Sequence, residues 1–199
     1  MEKTTVLELS LRMSMRASTS LGSMPRDARM RTVDERVVCV PVQKIFEIVA
    51  DVERWPDHLP HYRYVRFRER MHGSGERGGI VEMSANRPFG VIQWPTWWVS
   101  LMEIQHSAHG SSPSIRFRHI EGITKRMEVE WSFAPVTGGT LVTVLHLWNG
   151  PSWPFICGIA ARGVIGPVFV HGIASRTLEG LARAAEQDQT SARAFTRGQ

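Results

Sequence analysis

The first apolar segment of the chain predicts a strand, a short helix and a turn. Residues 36–40 read RVVCV, a strand-like run that ends at Pro41, whose fixed φ and missing N–H suit the first position of a helix. Four apolar residues then recur at helical spacing: Val42, Ile45, Phe46 and Val49. Pro56 restricts Trp55 to extended geometry, so we expect the chain to turn there before the next strand.

Residues 62–148 show the two-residue alternation of successive strands, separated by turns rich in Gly, Pro and Ser. The expected strands cover residues 62–70, 80–83, 91–105, 114–120, 124–133 and 140–148. The clearest alternation places four apolar residues on one face: Met127, Val129, Trp131 and Phe133. Residues 140–148 are apolar on both faces, so another element must cover that strand. The spacing predicts one antiparallel meander.

A second apolar stripe near the C-terminus predicts the covering element, a long helix. The stripe follows Pro167 and repeats every three or four residues: Val170, Ile173, Ala174, Thr177, Leu178 and Leu181. Beyond Glu186 the composition turns polar, and we expect residues 188–199 to form a disordered tail. Residues 1–31 are rich in Ser, Met and Arg and are expected to form a disordered basic extension, which leaves one domain over residues 32–187.

Most of the net charge of +5 lies outside that domain. Residues 1–31 carry six Lys/Arg against three acids and residues 188–199 carry two against one, so the domain itself is nearly neutral at +1. A nucleic-acid-binding protein concentrates basic charge on its folded surface. We therefore expect no nucleic-acid partner.

Cysteine usage and hydropathy bear on the compartment. Cys39 and Cys157 lie far apart and match no disulfide framework, which favours the cytoplasm. The most apolar run, residues 153–170, contains Arg162 and is short for a bilayer span of ~20 residues. We expect no membrane-spanning helix, while the run is compatible with peripheral contact at the inner membrane face.

Two segments carry a family resemblance. Residues 40–60 read VPVQKIFEIVADVERWPDHLP, and residues 119–133 read HIEGITKRMEVEWSF, with GTLV following at residues 139–142. These segments resemble the polyketide cyclase/dehydrase and coenzyme Q-binding family of the START-like (SRPBCC, Bet v 1-like) superfamily. The resemblance covers about residues 34–186 and implies an α+β helix-grip fold. In that fold an antiparallel sheet curves around a long C-terminal helix, with two short helices after the first strand.

The helix-grip fold implies an apolar cavity between the sheet and the last helix. Its expected walls are Trp55, Trp97, Phe117, Met127, Val129, Trp131, Val144, Val170, Ile173, Ala174 and Leu178. The ligand would be a hydrophobic small molecule such as a polyketide, a lipid or a quinone. The alternative is that the same aromatic residues fill a solid core.

Cyclase or dehydrase chemistry needs a base that removes an acidic α-proton and donors that hold the developing enolate oxygen. Strand alternation makes His119 and His146 the candidate bases. Glu121 is a candidate for orienting a base, and Arg116 or Arg176 for stabilising the anion. Arg116 alternates out of phase with His119, which favours a solvated surface position for its side chain. The competing interpretation is that both histidines are buried, hydrogen-bonded structural residues.

Three functions follow from these patterns. The first is a cyclase/dehydrase-like enzyme, the second a non-catalytic carrier of a lipid or quinone, and the third an interaction or toxin-like module. The histidine pairs at residues 58 and 61 and at residues 106 and 109 lie in turns or beside a proline, so we expect no metal site. None of the three functions requires a cofactor.

Overall fold

The strands of the protein form an antiparallel sheet on which the helices pack. The computed structural model describes residues 21–72, 77–89, 92–106, 112–150 and 171–197, and within them seven strands pair in the order β1-β7-β6-β5-β4-β3-β2. The strands are β1 Met30–Val38, β2 Tyr62–His72, β3 Arg77–Phe89, β4 Ile92–Gln105, β5 Ser114–Gly122, β6 Glu128–Val136 and β7 Gly139–Trp148. Strands adjacent in sequence pair as a meander from β2 to β7, and β1 closes the far side against β7.

The helices follow the apolar stripes of the sequence. They are α1 Val42–Ala50, a 3₁₀ turn at Val52–Arg54, α2 Trp55–His58 and α3 His171–Arg197. The helix α1 buries Ile45, Phe46 and Val49, as its stripe predicts. The helix-grip fold, with two short helices after the first strand and a long C-terminal helix against the sheet, is thereby confirmed.

Local geometry at Trp55 differs from the prediction. Trp55 is helical, with φ −55° and ψ −40°, and opens α2 instead of taking an extended conformation. Pro56 is tolerated there because it lies in the first turn of the helix, where its missing N–H has no intrahelical acceptor. The turn brings the indole of Trp55 into the core, where it is 3% exposed.

The long helix α3 packs on the sheet and on α1. Leu178, Leu181, Ala182 and Ala185 are all buried, in phase with the apolar stripe. The helix continues to Arg197, through most of the stretch expected to form a disordered tail, and Asp188 forms an ion pair with Lys44 of α1. The expected start near Pro167 lies outside the described residues.

Residues ahead of β1 contact the outer face of the sheet. β1 begins at Met30, inside the stretch assigned to the disordered extension, and Leu21 is only 2% exposed. The Leu21 carbonyl accepts a hydrogen bond from Arg118 at 2.7 Å. Arg116 is buried beneath this segment and lies 3.6 Å from Glu128, so it faces away from the concave side of the sheet. Among the described helices, none is long and apolar enough to cross a membrane.

Candidate functional site

A cavity of about 70 Å³ lies between the concave face of the sheet and α3. Its lining comes from α2, the strands, the β5–β6 turn and α3: Trp55, Tyr62, Met83, Trp98, Ser100, Phe117, His119, Thr124, Met127, Val129, Trp131, His146, Ile173, Ala174 and Thr177. Pockets that enclose drug-sized ligands measure about 300–1,000 Å³. The cavity in this conformation therefore accommodates a small group, and a larger ligand requires its walls to move.

Trp55 organises one wall of the cavity. Its indole N–H donates a hydrogen bond to the Val49 carbonyl at 3.1 Å, which satisfies the only polar atom of the side chain. The ring makes an edge contact with Tyr62 at 5.5 Å and lies 6.2 Å from Phe117 and 5.9 Å from Trp131, measured between centroids. These separations are typical of stabilising aromatic pairs.

His119 lies on β5 and reaches the cavity with a fixed ring orientation. Its Nδ1 lies 2.7 Å from the Thr124 hydroxyl, within hydrogen-bonding distance. The imidazole stacks on Trp98, with ring planes at 23° and centroids 5.9 Å apart. Gly122 takes a positive φ of 95° in the following turn, a conformation that glycine adopts without strain, and the turn returns Thr124 to the imidazole. The side chain of His119 is therefore positioned rather than freely rotating.

His146 lies on β7 and is also buried at the cavity wall. Its register partner on β1 is Thr32, while Asp34 pairs with Val144. Asp34 is thus the diagonal neighbour of His146, a separation of about 7–8 Å between Cα atoms that side chains can bridge. Asp34 is only 5% exposed. Sequence reasoning missed it, although an acid in phase with buried Met30 and Val38 was the available signal.

Ser100 is a second residue that sequence reasoning missed. Its side chain lines the cavity and is fully buried, and its hydroxyl has no hydrogen-bond partner among the described residues. It lies directly opposite His119 in the pairing of β4 with β5. Buried hydroxyls are nearly always hydrogen-bonded. The Ser100 hydroxyl therefore provides a donor for an oxygen atom of a ligand in the cavity.

Replacing Ser100 by alanine should leave the free energy of unfolding unchanged or raise it by up to about 1 kcal/mol, because a buried hydroxyl without a partner is itself costly. Urea denaturation measures the effect. Ser84→Ala is the matched control, since Ser84 is also buried but donates to the Thr96 carbonyl at 3.0 Å, and it should lose about 1 kcal/mol. A comparable loss in both variants would show that the Ser100 hydroxyl has a protein partner.

Most of the residues expected from sequence meet at this cavity. Nine line it: Trp55, Phe117, His119, Met127, Val129, Trp131, His146, Ile173 and Ala174. Val144 and Leu178 are buried in the adjoining core without reaching the cavity surface. Val170 lies outside the described residues.

Besides Arg116, which faces away from the concave side, three expected residues lie elsewhere. Trp97 is 48% exposed, and its neighbour Trp98 takes the place in the cavity wall. Glu121 is exposed and pairs with Arg68 at 3.2 Å. Arg176 is exposed and lies in a neighbouring cleft between α3 and the segment that follows α2.

A β-bulge explains why Glu121 leaves the face that His119 occupies. Simple alternation places residues 119 and 121 on one face. The register shifts at this point, because His119 pairs with Ser100 whereas Glu121 pairs with Val99. The extra residue in β5 reverses the phase of the strand, and Glu121 points away from the cavity.

Comparisons with known proteins agree with this architecture. The chain is similar to the Zhui aromatase/cyclase from Streptomyces sp. R1128, with a TM-score of 0.63 and 18% identity over 79% of this chain and 93% of that one. It is also similar to a START superfamily protein from Mycobacterium smegmatis, with a TM-score of 0.55 and 19% identity over 80% and 96% of the two chains. No curated protein sequence matches the chain.

The family is shown by sequence. Residues 38–166 match the family described as polyketide cyclase / dehydrase and lipid transport, a match that spans more than half of the 199 residues. The matched segment includes α1, α2 and the strands that supply His119, Ser100 and the aromatic wall. The chain therefore belongs to the polyketide cyclase/dehydrase and lipid transport family.

Proposed function

We propose that the protein binds a small hydrophobic ketone in its cavity and catalyses its enolisation and aldol cyclisation, with loss of water. The observation that carries this proposal is an oriented imidazole, His119, on the strand directly opposite Ser100, whose hydroxyl has no hydrogen-bond partner among the described residues. Both side chains line a cavity whose wall is mostly aromatic and aliphatic. Family membership and the fold support binding of a hydrophobic ligand. The polar pair supports chemistry on that ligand.

The reaction assigns one role to each polar group. His119 accepts a proton from a carbon next to a ketone, and the electron pair of that C–H bond forms the enolate. The Ser100 hydroxyl donates a hydrogen bond to a ketone oxygen and stabilises the negative charge that develops there. The enolate carbon attacks the carbonyl carbon of a second ketone of the same chain, and the new alkoxide takes up the proton held by His119, which gives a β-hydroxyketone. His119 then removes a proton from the carbon next to the one that bears the hydroxyl, and the electron pair of that C–H bond forms a C=C bond. The hydroxyl leaves with the proton from His119 as water, so the protein ends unchanged.

Thr124 supports this role by holding the other side of the imidazole. The contact at Nδ1 sets the ring orientation, as an orienting group does for a general base. His146 supplies a second imidazole on the concave face of the sheet, and the carboxylate of Asp34 is its diagonal neighbour across the β1–β7 pair. Asp34 replaces Glu121 as the candidate for orienting a base, since Glu121 lies on the outer face.

A small triketone tests the proposal directly. Heptane-2,4,6-trione can cyclise by attack of C1 on the C6 carbonyl and lose one water to form 5-methylresorcinol. We expect the purified protein to accelerate this conversion over buffer and over heat-denatured protein, measured by chromatography of the phenol. A rate equal to that of the denatured protein, with the triketone shown to bind, would leave binding without catalysis.

A non-catalytic carrier of a lipid or quinone is the second candidate. It is favoured by the absence of any Asp, Glu, Lys or Arg side chain among the described residues that line the cavity. Such a lining suits a ligand held by apolar contact alone. Native mass spectrometry of gently purified protein then shows a bound apolar molecule, and that molecule is released unchanged.

A further inference from the structure

A polar cleft of about 310 Å³ lies beside the apolar cavity, between α3 and the segment that follows α2. Its lining includes four residues with basic side chains and one carboxylate: His58, His61, Arg176, Arg183 and Glu179. Gly180 forms part of the surface, and a Cβ at this position would lie 2.3 Å from a Leu59 methyl group. Any larger residue at position 180 would therefore require the Leu59 side chain to shift.

The acidic side chains in and near the cleft pair with residues other than Arg176, so its guanidinium can bind a ligand. The one carboxylate of the lining, Glu179, forms an ion pair with Arg183 at 3.9 Å, one turn along the helix. Arg176 makes no hydrogen bond or ion pair with any described residue. Two other nearby acids already have partners. Asp57 pairs with Arg54, and Asp188 pairs with Lys44. Among the described residues, the guanidinium of Arg176 is thus the cleft's positive charge that no carboxylate pairs with.

A histidine–threonine contact lies where the cleft and the cavity adjoin. His61 lines the cleft, Thr177 lines the cavity, and the imidazole Nε2 lies 3.2 Å from the threonine hydroxyl. Burial lowers the pKa of His61, and the positive charge of Arg176 lowers it further. The imidazole is therefore neutral at physiological pH and adds no charge of its own, which leaves Arg176 as the main attraction for an anion.

We propose that this cleft binds the anionic group of an amphiphilic ligand, a carboxylate or a phosphate, whose apolar portion occupies the neighbouring cavity. Arg176 supplies the charge-assisted hydrogen bonds, and a guanidinium suits both anions because its donors match two oxygen atoms at once. The proposal rests on ligand binding in the cavity, as proposed above. It adds that the ligand carries a negative charge at one end.

Paired probes that differ only in charge test the proposal. Hexanoate and hexan-1-ol have the same apolar length, and inorganic phosphate carries charge without an apolar portion. We expect hexanoate to bind about tenfold more tightly than hexan-1-ol and more tightly than phosphate. NMR titration measures all three affinities, and the ring signals of His61 report whether binding occurs at the cleft.

Substitutions of Arg176 assign the effect to one side chain. R176Q should weaken hexanoate binding about tenfold and hexan-1-ol binding by less than about twofold. R176K should retain part of the hexanoate affinity, because lysine keeps the positive charge but lacks the paired donors of the guanidinium. The control is Arg31→Gln, which removes an exposed arginine of β1 that is not part of the cleft lining, and it should change neither affinity. Arg176 is exposed, so its variants are expected to fold.

Three results would overturn the proposal. Equal affinities for hexanoate and hexan-1-ol, unchanged by R176Q, would reject the anion site while leaving the cavity proposal standing. Tighter binding of phosphate than of hexanoate would assign the cleft to a free anion instead of an amphiphile. Failure of both six-carbon probes to bind would reject ligand binding in the cavity itself.

Discussion

His119→Gln is expected to lower the rate of triketone cyclisation by about 10²–10⁴-fold, the range that a general base contributes. Glutamine keeps a polar group within reach of the Thr124 hydroxyl, but it cannot accept a proton near neutral pH. The fold should therefore persist while proton removal from the ketone becomes slow. Initial rates with heptane-2,4,6-trione, at several pH values, measure the loss.

The control for this variant is His106→Gln. His106 is an exposed histidine whose ring contacts Phe46 at 5.4 Å, and it does not line the cavity. We expect its rate to stay within about twofold of the wild type, since surface substitutions are usually mild. Equal rates for His119→Gln and the wild type, with both proteins folded by circular dichroism, would remove His119 from the mechanism. The carrier function would then be the better account of the cavity.

Trp55→Ala is expected to lower the free energy of unfolding by about 3–5 kcal/mol, the cost of truncating a large buried aromatic side chain. The indole is 3% exposed, donates to Val49 and contacts three other aromatic rings. Its removal leaves a space that the neighbouring rings fill only in part. Urea denaturation monitored by far-UV circular dichroism gives the change, with an unchanged m-value as the check on the unfolding model.

Trp97→Ala provides the matched comparison, because it removes the same side chain from the outer face of the sheet. Trp97 is 48% exposed, so its loss should cost less than about 1 kcal/mol. The difference between the two variants measures the contribution of the buried wall. Similar losses for both tryptophans would contradict the placement of Trp55 in the core and of Trp97 outside it.

Much of the cavity could be predicted from local patterns. The alternation of Met127, Val129 and Trp131 identified an inward face because β6 is regular and its outer positions are polar. The stripe containing Ile173 and Ala174 identified the side of α3 that faces the sheet. Periodicity depends only on neighbouring residues within one helix or strand, so the buried face can be predicted without knowing which strand pairs with it.

Periodicity was insufficient where two elements meet. The phase of Glu121 depends on a bulge that β5 forms only when it pairs with β4. Alternation alone does not show whether Trp97 or Trp98 faces the cavity. Trp98 pairs with Met83 of β3, and both side chains line the cavity, so Trp97 lies on the other face. Arg176 was assigned to the cavity by chemistry, whereas the rotation of α3 places it in the cleft.

The family, the order of the elements and the mainly apolar cavity wall could be predicted from the amino-acid sequence, because they depend on local periodicity and on motifs that are contiguous in the chain. The tertiary structure decided which polar side chains share that cavity. Ser100, His119 and Thr124 come together through strand pairing and a turn, and Asp34 reaches the neighbourhood of His146 only through the closure of β1 on β7. Contacts between residues distant in sequence depend on register, and register is settled only when the whole sheet packs against its helix.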